Sequence, residues 1–484
     1  MLRILLFIHR YLAVVVGLLM ALWCLSGFVM IYQPYPEFTA AERLAALAPL
    51  QLQGCCKTDF LPGDEAPAGS FRIEMFNGRP VLRRPNVVPI DLASGTPLRR
   101  LPQEEVLRVA SDYGTQLGLH VQPRWLEEVR VDQWSIQSAG RNQPAQHVAL
   151  DDAAGTELYI NGRTGEIFQQ TTRRERVLSW FGAVPHWLYP TVLRRNGPLW
   201  SQVVIWTSVI GTFLTFTGLY VGISRLRRRR SASASVSPFR GWWYWHHITG
   251  LVFGVLTLTW VFSGLLTMNP WGLLEGSEVG AQLQPRLAGE PPVAELRQFL
   301  QGVPGLRSGE YTQLRARPFG GRLFVLAYRA DGSVDRLDAM ARPAPLALQD
   351  VQQVLAGLDT HLASVDTLAD GDVYYYARGD AVELPVYRAT LEDAQHTRVY
   401  IGAKTGNFRI VDRDARQARW LEDGLHGLDF PGLQRRPLWD IIVLLLLAGV
   451  TASCITGGWM AIQRIRRDFG WDRRFPPADS AAKK

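Results

Sequence analysis

The apolar residues of this chain are concentrated in four long stretches, whereas the remaining sequence alternates polar and apolar positions over short distances. Each apolar stretch is long enough to cross a bilayer, which takes about 20 residues at a rise of about 1.5 Å per residue. We predict four transmembrane helices, over Leu5–Tyr32, Trp200–Val221, His247–Met268 and Leu438–Ile462. The first lacks a small-residue cleavage site and is longer than a removable signal peptide, so we expect it to be retained.

The two segments between these helices, 33–199 and 269–437, show the alternation of antiparallel strands together with apolar residues at helical spacing. Turn residues predict hairpins around Asn77–Gly78 and Asp331–Gly332. The predicted fold class is therefore an α+β membrane protein, in which each of the two segments folds into a small domain with an antiparallel sheet packed on helices.

The chain resembles itself when it is shifted by about half its length. His9 then falls on His246, and “YINGRTGEIF” falls near “YIGAKTGNFRI”. His186 likewise matches His426, and each of these histidines is followed by a “PLW” that opens an apolar stretch. We predict two copies of one unit, each consisting of a helix, a domain and a second helix.

Arginines flank the apolar stretches unevenly. Arg225 and Arg227–Arg230 follow the second stretch, and Arg464, Arg466 and Arg467 follow the fourth. Because positively charged flanks mark the cytoplasmic side, we expect both termini in the cytoplasm and the two long segments in the periplasm of a bacterium. The net charge of +8 then reflects membrane topology, and no nucleic-acid partner is expected.

These expectations divide the chain into parts along the sequence. The parts are transmembrane helix 1 at 5–32, periplasmic domain 1 at 33–199, transmembrane helix 2 at 200–221, a cytoplasmic basic loop with the start of helix 3 at 222–246, transmembrane helix 3 at 247–268, periplasmic domain 2 at 269–437, transmembrane helix 4 at 438–462 and a cytoplasmic tail at 463–484.

The strand and Thr-Gly turn repeated in the two segments resemble the PepSY module, and the whole arrangement resembles the PepSY-associated transmembrane family. The resemblance rests on “HRYLAVVVGLLMALWCLSG”, “HHITGLVFGVLTLTWVFSG”, the two Thr-Gly turns and the histidines before the second and fourth helices. Some members of this family resemble inner-membrane reductases of ferric siderophores that carry b-type haem on pairs of histidines. The resemblance therefore implies a haem-dependent oxidoreductase in the bacterial inner membrane.

Four histidines at symmetric positions are the candidate axial ligands of the haem iron: His9, His246, His186 and His426. His9 and His246 begin helices one and three on the predicted cytoplasmic side, whereas His186 and His426 precede helices two and four on the periplasmic side. We expect one haem between the members of each pair. The chain contains no Cys-x-x-Cys-His motif for covalent attachment, so both haems are expected to be b-type.

His247 is the alternative to His246, but the duplication aligns it with Arg10 and not with His9. Adjacent helical residues point about 100° apart, so only one of the two histidines can share the axis of the pair. We favour His246 as the ligand. His247 and Arg10 are expected to contact a haem propionate or a lipid phosphate.

The function expected from these features is the one-electron reduction of a periplasmic ferric siderophore, with electrons from quinol or a cytoplasmic donor. Siderophores bind ferric iron through hard oxygen ligands and bind ferrous iron far more weakly, so reduction releases the metal. The arginine pairs Arg194–Arg195 and Arg435–Arg436 would then contact propionates of the outer haem or lipid headgroups. Trp180, Trp187, Tyr189 and Trp420 lie near the outer histidines and are typical of an aromatic belt at the membrane surface.

The alternative is a non-enzymatic PepSY-type module that binds another envelope protein, for which “DVYYYARGD” is a candidate surface. Metal permeation through the bundle is disfavoured because the apolar stretches carry no interior Asp or Glu to coordinate a hard cation. Cys24 and Cys454 lie within apolar stretches and are expected to act as small hydrophobic residues. Cys55 and Cys56 are adjacent on the oxidising side, where they can form only a strained disulfide.

Overall fold

The computed structural model of the chain describes residues 2–138, 140, 142–226, 236–273, 278–358, 362–377 and 382–468. The predictions for residues 227–235 of the basic loop, for the end of “DVYYYARGD” and for the tail after Asp468 fall outside the described residues.

The described residues form α-helices and strands throughout the chain. The helices are α1 (Leu2–Met30), α2 (Ala40–Ala45), α3 (Gln103–Gln116), α4 (Arg173–Phe181), α5 (Ala183–His186), α6 (Thr191–Arg194), α7 (Gly197–Ser224), α8 (Trp242–Leu266), α9 (Glu278–Ala288), α10 (Val293–Gly302), α11 (Leu348–Ala356), α12 (Arg413–Ala418), α13 (Leu425–Gly427) and α14 (Leu438–Asp468). The strands are β1 (Arg72–Phe76), β2 (Arg79–Arg83), β3 (Ile90–Asp91), β4 (Arg124–Val129), β5 (Ala145–Ala149), β6 (Glu157–Asn161), β7 (Ile167–Thr171), β8 (Gln313–Ala316), β9 (Val325–Tyr328), β10 (Val334–Leu337), β11 (Leu362–Leu368), β12 (Val386–Leu391), β13 (Arg398–Gly402) and β14 (Phe408–Val411).

The described residues divide into two compact units. The helix unit takes its residues from Met1–Tyr35, Val177–Glu275 and Ala418–Lys484. The sheet unit takes its residues from Pro36–Arg176 and Gly276–Gln417. Each unit therefore combines residues from both halves of the chain.

Helices α1, α7, α8 and α14 of the helix unit are long and apolar enough to cross a membrane, which confirms the four predicted apolar helices. The helices end a few residues away from the predicted bounds, because a helix can continue into the polar residues that flank an apolar stretch. Helix α7 begins earlier, since the side chain of Asn196 caps it at Leu199 N and Pro198 fits its first turn. Helix α14 continues through Arg464 and Arg467.

The four long helices pack as a bundle in which α1 contacts α7 and α14, and α8 contacts the same two helices. Small residues permit the close approach that helices in a membrane use for association. A Cβ at Gly449 of α14 would lie 2.2 Å from the ring of Phe253 on α8. Likewise, a Cβ at Gly254 of α8 would lie 2.5 Å from Leu219 on α7.

The sheet unit contains a six-stranded antiparallel sheet in the order β10-β9-β8-β1-β2-β3. Both predicted hairpins are present in it. The first turns at Asn77 and Gly78, whose φ angles of 46° and 74° suit a two-residue hairpin turn. The second joins β9 and β10 around Gly332, whose φ is 81°.

The two hairpins, which the sequence assigned to separate domains, are joined edge to edge. Strand β1 pairs with β8, with Ile73 opposite Leu314. These two residues are fully buried in one core that combines residues of both segments. Each hairpin therefore covers one edge strand of the other, and the backbone N–H and C=O groups along that edge find partners.

Two four-stranded antiparallel sheets, β4-β5-β6-β7 and β11-β12-β13-β14, have the same strand order. The first follows α3 and precedes α4, and the second follows α11 and precedes α12. The Thr-Gly turns lie between the last two strands of each sheet. Gly165 and Gly406 adopt φ angles of 67° and 69° there, a conformation that favours glycine.

The four cysteines differ in state. Cys55 and Cys56 form a disulfide in the sheet unit. Cys24 of α1 and Cys454 of α14 are free, and their Sγ atoms lie 3.8 Å apart within the helix unit.

Two histidine pairs as the candidate functional site

The first histidine pair consists of His9 on α1 and His246 on α8. The ring of His9 is held against α7, where its Nδ1 lies 3.0 Å from the carbonyl oxygen of Leu214. A Cβ at Gly218 of α7 would lie 2.6 Å from Cε1 of His9. The absence of a side chain at Gly218 is therefore what makes room for the imidazole.

His246 is held against α14 in the same way. Its Nδ1 lies 3.1 Å from the carbonyl oxygen of Ser453 and 3.3 Å from the hydroxyl of Thr456. A Cβ at Gly457 would lie 2.9 Å from Cε1 of His246. Each histidine of the first pair thus uses a carbonyl and a nearby glycine on the next helix.

The two rings of the first pair have centroids 6.4 Å apart and planes inclined by 33°. They line a cavity of about 370 Å³ in the helix unit. That volume is within the range of roughly 300–1,000 Å³ that is typical of sites for small molecules and cofactors. The arginines in its lining are Arg10, Arg464 and Arg467.

The second histidine pair consists of His186, at the end of α5, and His426, in α13. The Nδ1 of His186 lies 3.1 Å from the carbonyl oxygen of Trp23 and 3.2 Å from the hydroxyl of Ser26, both on α1. Helix α5 packs against α1, and α13 packs against α8. The short helices therefore attach each histidine to one of the two long helices that carry the first pair.

His426 repeats this arrangement on α8. Its Nδ1 lies 3.2 Å from the carbonyl oxygen of Trp260 and 3.2 Å from the hydroxyl of Ser263. The ring centroids of His186 and His426 are 6.3 Å apart, and the planes are inclined by 64°. The structure thus brings His9 to His246 and His186 to His426, the pairs that the sequence suggested.

All four rings share one hydrogen-bonding state. A carbonyl oxygen can only accept, so each Nδ1 carries the proton and donates it. Each Nε2 then has a free lone pair, and none of the four Nε2 atoms has a hydrogen-bond partner among the described residues. A metal-binding imidazole is oriented in this way, with its other nitrogen donating to a backbone carbonyl.

His247 has the opposite tautomer. Its Nε2 lies 2.9 Å from the carbonyl oxygen of Gly222, so Nε2 carries the proton. Its Nδ1 lies 2.9 Å from the hydroxyl of Ser237, and the side chain is buried. Both nitrogens are engaged within the chain, an arrangement that favours His246 over His247 as a ligand. Arg10, the residue predicted to match His247, is exposed and lines the cavity.

Two of the four arginines predicted to contact an outer haem or lipid, Arg194 and Arg436, have partners in the chain. The guanidinium of Arg194 lies 5.1 Å from the ring centre of Tyr189 and 4.6 Å from that of Trp200. Arg436 lies 3.5 Å from Asp440, one helical turn away. These contacts engage both side chains within the chain, although the Nε of Arg194 is buried without a hydrogen-bond partner among the described residues.

The predicted aromatic residues differ in their surroundings. Tyr189 is buried and makes edge contacts with Trp187 and Trp200. Trp180, by contrast, is half exposed, and Trp420 stacks on Phe430. The buried Tyr189 is structural, whereas Trp180 has the exposure expected of a membrane-surface residue.

Some residues of the site escaped the sequence argument. Gly218 and Gly457 have no chemical group of their own and gave no signal, although they occupy matching positions in the two halves. Ser26 and Ser263 lie within the two similar stretches that begin at His9 and His246, but no role was predicted for them. The sequence could have indicated a role for both serines, because a polar residue inside an apolar helix usually has a hydrogen-bond partner.

No curated protein matches the chain. A family model described as the PepSY-associated TM region matches residues 6–464, which is nearly the whole chain. The chain therefore belongs to the PepSY-associated transmembrane family.

Proposed function

We propose that the chain is a haem-dependent ferric-siderophore reductase of the bacterial inner membrane, with both termini in the cytoplasm. In this proposal the sheet unit, built from PepSY-like modules of two repeated halves, lies in the periplasm. One b-type haem is held by the first histidine pair and another by the second. The observation that carries the proposal is the presence of two pairs of imidazoles, each anchored through Nδ1 with Nε2 left free.

The spacing of the rings fits a metal between them. Metal–imidazole bonds are about 2.0 Å, and a ring centre lies about 1.1 Å beyond its nitrogen, so opposed rings on one metal have centroids roughly 6 Å apart. The observed separations are 6.4 Å and 6.3 Å. Both pairs therefore have the separation that two axial ligands of one iron require.

The number of donors also favours haem over a bare ion. Among the described residues, no group of three or more His, Cys, Asp or Glu side chains is placed to hold a metal ion. Two histidines alone would leave a bare ion with too few ligands. A porphyrin supplies the four equatorial nitrogens itself and needs only the two axial ligands that each pair offers.

The residues around each pair would orient the ligands and hold the cofactor. The carbonyl of Leu214 fixes the tautomer of His9 and increases the basicity of its Nε2, and the carbonyl of Ser453 does the same for His246. In the cavity of the first pair, Arg10 and Arg467 would hold the propionates, whereas Arg464 pairs with Asp468 at 2.8 Å. When bound, six-coordinate haem supplies one-electron redox chemistry without an open site for oxygen.

The proposed overall reaction is the one-electron reduction of a periplasmic ferric siderophore by quinol or a cytoplasmic donor. Ferrous iron prefers hard oxygen ligands far less than ferric iron does, so the chelate releases it. This chemistry requires no acid–base dyad. It does require that the second pair be the one nearer the substrate, as the arginine asymmetry of the sequence predicts.

An absorption spectrum of the detergent-solubilised protein from haem-replete cells tests the cofactor. We expect reduced low-spin b-type bands at about two haems per chain, and ferric siderophores should reoxidise them while a chelator traps ferrous iron. A colourless protein would reject the haem assignment and favour the protein-binding alternative. A haem-loaded protein that ferric siderophores leave reduced would retain the cofactor and reject the substrate.

The protein-binding alternative gains little from the segment that suggested it. Tyr375 stacks on Tyr400 with ring centroids 5.1 Å apart, and its hydroxyl donates to the carbonyl of Glu383. Tyr374 packs beside the same small core. These two tyrosines serve the interior of the sheet unit, so they do not form the free surface that a protein partner would need.

A further inference from the structure

One free cysteine of the helix unit adjoins the first histidine pair. Cys454 follows Ser453 in α14, and the carbonyl oxygen of Ser453 lies 3.1 Å from Nδ1 of His246. Ser453 and Cys454 both line the cavity of the first pair. A short run of covalent bonds through one peptide group therefore leads from the carbonyl that anchors His246 to the sulfur of Cys454.

The other free cysteine adjoins the second histidine pair. Cys24 follows Trp23 in α1, and the carbonyl oxygen of Trp23 lies 3.1 Å from Nδ1 of His186. The Sγ atoms of Cys24 and Cys454 are 3.8 Å apart, a distance at which one thiol can donate a weak hydrogen bond to the other. The anchors of the two pairs are thus joined through two sulfur atoms.

The other two histidines are anchored in the same way, but no cysteine follows their anchors. The carbonyls of Leu214 and Trp260 hold these rings, and the residues that follow are Thr215 and Val261. Val261 and Cys454 both pack against the apolar cluster that contains Leu214. An aliphatic side chain and a hydroxyl therefore serve the packing on this route, so size alone does not explain two thiols on the other.

We infer that the contact between Cys24 and Cys454 is the route by which an electron passes between the two histidine pairs. The inference rests on the proposed function, because it requires a haem at each pair. Tunnelling falls off less steeply along bonds and hydrogen bonds than across a gap. Beyond its covalent bonds, this route has two hydrogen bonds of 3.1 Å and one contact of 3.8 Å between sulfur atoms, which are polarizable.

The transfer leaves the thiols chemically unchanged. One electron leaves the reduced iron of the first pair and reduces the ferric iron of the second pair. No bond forms or breaks at either sulfur and no proton moves, so the step needs no reactant beyond the electron donor and the siderophore of the proposed function. The thiols therefore act on the rate of transfer and not on the potential of either haem.

The contact is tested first in the haem-free protein, through the infrared S–H bands of the free thiols. Cys55 and Cys56 do not contribute, because they are joined in a disulfide. One thiol donates to the other, so in either Cys24→Val or Cys454→Val the remaining S–H band should move to higher frequency as its acceptor is lost. Bands that stay in place in both variants would remove the contact and overturn the inference.

The rate is then measured on the haem-loaded protein in detergent, without a siderophore. A laser-flashed ruthenium photosensitiser delivers one electron, and the bands of the two haems are followed as the electron redistributes. Cys24→Val and Cys454→Val should each slow the redistribution severalfold, with haem content and both potentials unchanged. The double variant should be no slower than the slower single variant, because both changes interrupt one route.

The matched control is Thr215→Val, which places the same side chain beside the anchor of His9 on the other route and should leave the rate unchanged. Wild-type rates in both haem-loaded cysteine variants would overturn the route and leave the haem assignment intact. Equal slowing in Thr215→Val would assign the effect to helix packing and would also overturn the route. A colourless wild-type protein would reject the haem assignment and the route together.

Discussion

The two histidine pairs have nearly the same ring separation but are built in different ways. The first pair is carried by long helices, α1 and α8, and is anchored to carbonyls of α7 and α14. The second pair is carried by short helices and is anchored to carbonyls and serines of α1 and α8. Helices α1 and α8 therefore supply the imidazoles of one pair and the acceptors of the other.

This difference shows how one small bundle can position two equivalent sites. In the first pair, an added Cβ on the neighbouring helix would lie 2.6 Å or 2.9 Å from the ring, so the clearance is tightest there. In the second pair the clearance is larger, 4.0 Å at Gly27 and 3.2 Å at Gly264. A hydroxyl accompanies the carbonyl at both Nδ1 atoms of the second pair, whereas in the first pair only His246 has one among the described residues, from Thr456. The rings are also inclined differently, by 33° in the first pair and 64° in the second. Substitutions should therefore affect the two pairs through different physical causes.

The largest effect is expected from removing the imidazoles. His9→Ala and His246→Ala should each remove the same haem, and His186→Ala and His426→Ala should each remove the other, because an axial ligand is lost. Haem content per chain, with the spectrum and potential of the remaining haem, measures this. His247→Ala is the matched control and should retain both haems, since its nitrogens bond to Gly222 and Ser237.

Two results would break the pairing. If the His247 variant lost a haem and the His246 variant retained both, the ligand of the first pair would have to be reassigned from His246 to His247. Loss of both haems from every histidine variant would leave the separate sites unsupported, because it would indicate a general loss of folding.

The second effect concerns the sides of the membrane on which the two pairs lie. A reporter fused after Lys484 should be active as a cytoplasmic fusion, and one inserted within 269–437 should be active as a periplasmic fusion. The reason is the excess of arginine after the second and fourth apolar stretches. The reverse pattern would exchange the sides of the two pairs and would place electron entry at His186 and His426.

The sequence predicted the helices and the pairing residues for a physical reason. A membrane helix must be apolar along its whole length, and a tight hairpin turn needs residues such as Asn77 and Gly78, so both leave local signals. The shift of the chain against itself also grouped the four histidines. The internal duplication itself stays a prediction, although the two four-stranded sheets have the same order.

The remaining features depend on contacts that no local pattern encodes. The pairing of β1 with β8 joins residues that are distant in sequence, and either hairpin edge could have been covered in another way. The same holds for Leu214 and Ser453, which act through backbone carbonyls that every residue has. His247 was separated from His246 by alignment alone, whereas the physical distinction is its opposite tautomer.

An intermediate effect is expected from filling the space beside the first pair. Gly218→Ala places a methyl 2.6 Å from Cε1 of His9, and Gly457→Ala places one 2.9 Å from Cε1 of His246. Overpacking costs about 1–3 kcal/mol, so haem binding at the first pair should weaken roughly tenfold or more. Haem titration of the apoprotein measures the change, and the haem of the second pair should be retained.

The control for this experiment lies on the same helix as Gly218. Gly197, at the start of α7, does not line the cavity of the first pair, and a Cβ there would lie 3.3 Å from Nη1 of the flexible Arg194 side chain, so Gly197→Ala should bind haem normally. Equal losses in Gly197→Ala and Gly218→Ala would show that α7 tolerates no added methyl, and the specific clearance around His9 would then be wrong.

The smallest effect is expected from the serines of the second pair. Ser26→Ala and Ser263→Ala remove one acceptor from Nδ1 but leave the carbonyls of Trp23 and Trp260 in place. Both haems should be retained. A weaker acceptor makes Nε2 less basic and stabilises ferric iron less, so the reduction potential of the second-pair haem should rise. A hydrogen bond worth about 0.5–1.5 kcal/mol corresponds to a shift of roughly 20–60 mV for one electron.

Redox titration resolves this shift because each haem titrates separately once the histidine variants have identified its bands. The first pair supplies the comparison through Thr456→Val, which removes the 3.3 Å hydroxyl contact of His246 while its carbonyl contact stays at 3.1 Å. Among the described residues, His9 has no hydroxyl at its Nδ1, so Thr456 is the hydroxyl to remove in the first pair. Each serine variant should shift the reduction potential of the second-pair haem only, and Thr456→Val should shift that of the first-pair haem only. A fall in potential in the serine variants, or equal shifts at both haems, would show that the hydroxyls do not set the local basicity and that the two pairs are not built differently after all.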